Sequence, residues 1–299
     1  QSYEKSRENI ALTNLLTENP VNKLVKNNEF LNSHETIFNY KIETSNITNQ
    51  KRTGRCWLFA GLNILRPSFM KKNDVKNFDF SQNYLFFWDK MEKANFFLET
   101  VLKLHDKDWS NRDLQILYKD PIPDGGWWNY VVNLIEKYGV IPNTAMKETE
   151  NSENSGQMNK IMSSYLKKSA LLLKQMKMEQ KPDNEIQQEK LKVMKKIYRL
   201  LIFFLGTPPE NFTWRYKDKD NQIVIKNFDS PLDFYNKTID TKINEFYSIF
   251  DHPVYEYNKH YQVHYCSNMS GVMDMNFINL PIDKLKEFTL KSIMDSIPV

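Results

Sequence analysis

The sequence predicts an α+β fold, and three observations predict it. Apolar residues recur at helical spacing through most of the first 205 residues, and strand-like alternation appears only after residue 210. The composition is that of a packed globular protein, with 15 Tyr, 19 Phe and 6 Trp against 8 Gly and 12 Pro in 299 residues. At this length a sizeable core is available, and one large domain or two ordinary ones fit.

Taken in order, the first forty residues carry Ile10, Leu12, Leu15, Leu16, Val21, Leu24 and Val25 around Pro20 and read as a short helical or extended lead-in. From Trp57 to Leu65 apolar side chains fall on nearly every side, as in a helix buried all round, and Pro67 is expected to stop it. Ser81 is placed to cap the next helix, in which Leu85, Trp88, Phe97 and Val101 form a stripe. A Pro/Asp/Gly turn then leads into a helix from about Trp128, closed by Gly139 and Pro142. Residues 157–205 read as two long helices rich in Lys and Met, broken at "KPDN" and ended by Gly206. "FTWRYKDKDNQIVIKNF" reads as a hairpin, Ser230-Pro231 as a helix start, "YQVHYCSNM" as a strand, and the stretch from Pro281 as a last helix. Boundaries are expected at 1–150, with the first buried helix and the Gly-Gly loop, at 151–250, a mainly helical insertion with a hairpin, and at 251–299, the start of a β part.

The formal charge of +4 comes from interspersed Lys and acidic residues, which makes a poor electrostatic footprint for nucleic acid. The lysines of 160–196 read as solvated helix faces. No apolar run approaches a bilayer span. Two cysteines, Cys56 and Cys266, make neither a disulfide framework nor a four-ligand metal spacing, so a reducing compartment is expected and no metal or organic cofactor is called for.

Chemistry is expected where "NITNQKRTGRCWLFAGLNILR" places Cys56 at the mouth of an apolar helix. A thiol is a good nucleophile only as thiolate, and unpaired N–H groups with the helix dipole favour negative charge at that end. Gly54 lets the backbone turn and leaves room for a substrate chain, while Arg52 and Arg55 are expected to add positive potential. The Cys56 N–H and the Gln50 carboxamide, six residues earlier, are the donors expected to hold an oxyanion. The bland alternative is a small buried hydrophobe at a helix start.

"QKRTGRCWLFA" resembles the nucleophile segment of papain-like cysteine peptidases, and "FSQNYLFFWDK", "DGGWW", "IEKYGVIP", "GTPPENFTWRYKDKD" and "SPLDFY" follow in the order found in the bleomycin hydrolase group of that clan. The resemblance implies a papain-like fold with a helical left part, a helical insertion and an incomplete right-hand β part. It implies Cys56 as nucleophile, Gln50 as side-chain half of the oxyanion hole and Trp57 packed beside the thiol. Gly125 and Gly126, preceded by Asp124, become the loop whose backbone pairs with an extended substrate. It also implies a cytoplasmic aminopeptidase acting on peptides as a ring-shaped homohexamer. In secreted relatives a cysteine pair bridges the two loops, whereas Thr53 and Pro123 stand at those positions here, which fits a disulfide-free enzyme.

A base is the missing part. His34, His105, His252, His260 and His264 stand in no matching histidine motif, no Asn-Ser-Trp-Gly segment follows, and His252, His260 and His264 read as structural or surface residues. Cys266 reads as an inert core thiol. The start at Gln1 and the stop at Val299 lead to the expectation of a piece of a longer enzyme, the alternative being a catalytically inactive scaffold or binding module.

Overall fold

The computed structural model describes residues 5–299 and separates two compact units, Gln1–Lys41 and Ile42–Val299. In the first, α1 (Arg7–Glu18) starts where Ser6 accepts the Asn9 N–H, α2 (Val21–Leu24) follows Pro20, and α3 (Asn28–Ser33) is capped by Asn27. None of the three buries a residue; local side-chain caps mark the starts of α1 and α3, and Pro20 the start of α2.

The second unit is built around two helices. The first, α4 (Cys56–Lys72), buries Leu58, Leu62, Leu65 and Phe69. Pro67 lies inside α4 and does not stop it, which corrects the expected boundary. The last turn is held from outside: Phe69 meets the rings of Phe78, Phe80, Trp214 and Phe234 at 4.0 to 5.7 Å between centroids, and burial on that scale outweighs the missing backbone bond. The second, α5 (Gln82–Lys103), is capped by Ser81 as expected, and it buries charged residues, Asp89, Lys90, Glu92 and Lys93, among its aromatics.

Around α5 stand α6 (Arg112–Lys119), α7 (Trp128–Tyr138), α9 (Gly156–Met178) and α10 (Asp183–Leu205), with the short α8 (Glu150–Glu153) against α9 and α10. Gly139 closes α7 at a φ of 70°, a conformation that favours glycine. Both α9 and α10 pack on α5, and their Met158, Met162, Leu166, Ile197 and Leu201 join the same core as Leu62 and Phe97. These two helices are therefore a wall of the main core.

The hairpin forms as read, β1 (Phe212–Lys217) pairing antiparallel with β2 (Ile223–Phe228), and α11 (Pro231–Thr238) starts on its Ser230 cap. After a single 3₁₀ turn at Ile243–Glu245, β3 (Ile249–Phe250), β4 (Lys259–Gln262) and β5 (Asn276–Asn279) form a sheet of order β3-β5-β4. The strand expected through "YQVHYCSNM" ends at Gln262. Beyond it Tyr265 takes a φ of 56° and Cys266 returns its N–H to Val263, because Ser267 and Asn268 turn inward to buried positions. The last helix, α12 (Ile282–Met294), follows Pro281.

Candidate active site

Cys56 is the first residue of α4 and is exposed, while Trp57, Leu58 and Phe59 behind it are buried. Arg55 occupies the cap but its side chain does not cap the helix; its carbonyl accepts the N–H groups of Leu58 and Phe59. Among the described residues no acceptor is recorded for the Cys56 N–H, which leaves it as one of the unpaired donors of a helix start. The thiol stands at the positive end of α4 with solvent access.

The loop before it closes on itself. The Gln50 Nε2 donates to the Thr53 carbonyl at 2.6 Å and the Thr53 hydroxyl donates back to the Gln50 carbonyl at 2.7 Å. Lys51 sits at the turn with a φ of 55°. The half-buried carboxamide keeps one N–H for which no acceptor is recorded among the described residues.

Arg55 corrects the expected electrostatics. Its side chain is fully buried, its guanidinium makes a two-pronged pair with the Glu148 carboxylate at 3.1 and 2.9 Å, and its Nε donates to the Thr53 hydroxyl. The rings of Phe59 and Phe86 flank it. That charge is neutralised inside the core and anchors the loop, whereas Arg52 remains exposed.

A second loop is bound to the first through Asp124. Its carboxylate accepts the Gly54 N–H at 3.2 Å, the Asn159 amide at 2.7 Å and the Ser155 hydroxyl, and it pairs with the Lys90 ammonium at 2.7 Å. Its carbonyl accepts the Trp57 indole N–H at 2.7 Å. Burial by itself pushes this carboxyl up, but Lys90 and the donors of Ser155 and Asn159 outweigh it and hold Asp124 well below the usual carboxylate range. These Asp124 contacts are internal, and they tie the loop before Cys56 to the Gly-Gly loop.

The paired glycines differ. A Cβ on Gly125 meets nothing within 4 Å, whereas one on Gly126 comes within 2.6 Å of the Trp57 indole and 2.8 Å of the Tyr130 ring. The indole stands edge-on to Tyr130 at 5.8 Å and fills the space beside the backbone. Gly126→Ala is expected to destabilise the protein by about 2 kcal/mol in urea unfolding, the ordinary cost of overpacking, while Gly125→Ala stays within about 1 kcal/mol.

Sequence reasoning missed the polar groups beneath these loops. Lys90 and Lys93, one turn apart on α5, are buried and pin the second loop by its carbonyls: Lys90 to Ile122, Lys93 to Pro123 and Gly125. Glu148, Ser155 and Asn159 complete the set. A buried lysine inside an aromatic run was the available signal, since such a charge is tolerated only with partners.

His34 belongs to the first unit, His105 holds the Leu102 carbonyl through Nδ1 at 2.9 Å, His252 lies 4.6 Å from Tyr255 with the two rings tilted by 38°, and His260 and His264 are exposed. Among the described residues no hydrogen bond joins an imidazole to the Cys56 sulfur. Cys266 is half-buried against the Tyr130 hydroxyl and the Met275 sulfur, and burial pushes its thiol up. Among the described residues no cluster of three or more His, Cys, Asp or Glu is arranged for a metal ion, and no helix is long and apolar enough to cross a membrane.

Known proteins resemble this chain in sequence and in fold. The chain is 37% identical over 261 residues to an aminopeptidase C of Lactobacillus delbrueckii subsp. lactis, covering 87% of this chain and 58% of that one. It is 39% identical over 257 residues to human bleomycin hydrolase, covering 83% of this chain and 56% of the relative. The crystal structure of pepw from Lactobacillus rhamnosis superposes with a TM-score of 0.94 at 32% identity, over 98% of this chain and 66% of that one. These 299 residues thus span about three fifths of the length of the relatives they match. The α+β, papain-like fold implied by the motifs is the fold of this chain. With the profile of the Peptidase C1-like family matching residues 1–299, the chain belongs to that family.

Proposed function

We propose that the whole protein is a cysteine-type aminopeptidase, resembling in activity what the names aminopeptidase C and bleomycin hydrolase say of its relatives. The observation that carries the reading is an exposed thiol on the first residue of a helix whose next three residues are buried, with the bare Gly125–Gly126 backbone held beside that helix by Asp124. In this reading the Cys56 sulfur attacks a peptide carbonyl carbon. The carbonyl oxygen takes the negative charge and is held by the Cys56 N–H and the free N–H of the Gln50 carboxamide. Collapse expels the amine, which leaves with a proton from an imidazole, and water then releases the acyl group from sulfur. That imidazole first takes the proton of the Cys56 thiol, which forms the attacking thiolate, and then gives it to the leaving amine. Gly125 and Gly126 pair with the substrate backbone, and Trp57 supports the wall beside the thiol. We further propose a cytoplasmic homohexamer with peptides as its substrates.

A binding module with an unreactive thiol is the competing reading, favoured by the lack of an imidazole on Cys56 among the described residues. Alkylation separates the two. In the full-length protein iodoacetamide is expected to label Cys56 at pH 6 at least about tenfold faster than free cysteine, with loss of peptide hydrolysis in step with labelling. A rate equal to that of free cysteine, with hydrolysis undetectable, establishes the module instead.

A further inference from the structure

Lys93 belongs to a helix that carries none of the expected site residues, yet its ammonium is directed at the second loop. Its three protons have three acceptors: the Asp89 carboxylate at 2.6 Å and the carbonyls of Pro123 and Gly125 at 2.8 Å each. It is 3% exposed and lies 5.3 and 5.4 Å from the ring centroids of Trp57 and Tyr130, the two rings against which Gly126 is packed. Asp89 is completely buried and is held in turn by the Asn268 amide at 3.2 Å.

The Gly125–Gly126 peptide is trans, so its C=O and N–H point in opposite directions. With the carbonyl bound by Lys93, the Gly126 N–H is turned away from α5, and among the described residues no acceptor is recorded for it. A loop with an exposed glycine and no Cβ contact has no side chain of its own to fix that plane. Resting on the peptidase reading above, we propose that Lys93 is a positioning residue: it sets the plane of the Gly125–Gly126 peptide so that the Gly126 N–H is presented as a preorganised donor to the backbone of an extended peptide.

A charge this buried cannot be removed alone without stranding Asp89, so the test uses Lys93→Gln with Asp89→Asn, beside Lys93→Arg, in the full-length protein. Hydrolysis of a peptide substrate and the rate of Cys56 alkylation by iodoacetamide are measured on each. The double variant is expected to raise KM about tenfold with kcat within about threefold, and to leave the alkylation rate unchanged, because alkylation needs no backbone pairing. Lys93→Arg, which keeps the charge and its donors, is expected to recover most of the loss in KM. An unchanged KM in the folded double variant overturns the proposal, as does a parallel fall in kcat, alkylation rate and thermal midpoint, which marks a merely structural lysine. A parent protein that hydrolyses no peptide is a separate outcome: it overturns the peptidase reading and this role with it.

Discussion

In the full-length protein, Cys56→Ala is expected to lower kcat for peptide hydrolysis by about five orders of magnitude while leaving the folded state intact. The size follows from what loss of a nucleophile costs in triad enzymes, where the remaining oxyanion donors and binding contacts retain only a modest acceleration over water. The stability side follows from position. Cys56 is exposed on the first turn of α4, no hydrogen bond to its sulfur is recorded among the described residues, and the turn behind it is held by Trp57, Leu58 and Arg55. Substitution there leaves the core untouched, and the urea midpoint is expected to move by less than that of Gly126→Ala. Steady-state kinetics with parallel unfolding curves checks both halves; turnover within tenfold of the parent defeats the assignment of Cys56.

The largest loss of stability is expected at Asp124. Asp124→Ala removes the partner of Lys90, whose side chain is fully buried, and leaves Gly54, Ser155 and Asn159 without their acceptor. Breaking a buried pair on one side costs about 3–5 kcal/mol, since the remaining charge stays in a poor environment. Because Asp124 also ties the two loops together, activity is expected to fall beyond what unfolding explains. The pH dependence has a definite sign. The folded protein holds this carboxyl below its unfolded value, so its stabilisation is fully present above the ordinary carboxylate range and is lost as pH falls through that range and below it. Acid titration of the urea midpoint is expected to drop more steeply for the parent than for Asp124→Ala.

Much of the scaffold was legible because its signals are local. Ser81 and Ser230 cap helices within three residues of their own position, and Gly139 ends one through a backbone angle that glycine adopts without penalty. The apolar run around Leu58 and Leu62 reports a buried helix wherever it is placed. Pro67 misled because its local penalty is real and smaller than the burial of Phe69 two residues on. The strand past Gln262 failed for a related reason: alternation from Tyr261 to Cys266 persists in sequence, but contacts to α5 and α7 through Asn268 and Cys266 pull the chain into turns.

At the site the same division holds. By itself the sequence determined that a thiol opens an apolar helix after a glycine-bearing loop, and that a paired-glycine turn precedes another helix, because helix starts and turns are written in adjacent residues. Only the tertiary structure decided what the charges do. Arg55 points into the core onto Glu148, 93 residues away, and Asp124 receives Lys90, Ser155, Asn159 and Gly54 from three other segments. A charge acts through whatever stands within a few ångströms of it, and inside a poorly polarisable core those neighbours come from distant parts of the chain; no spacing along the sequence records them.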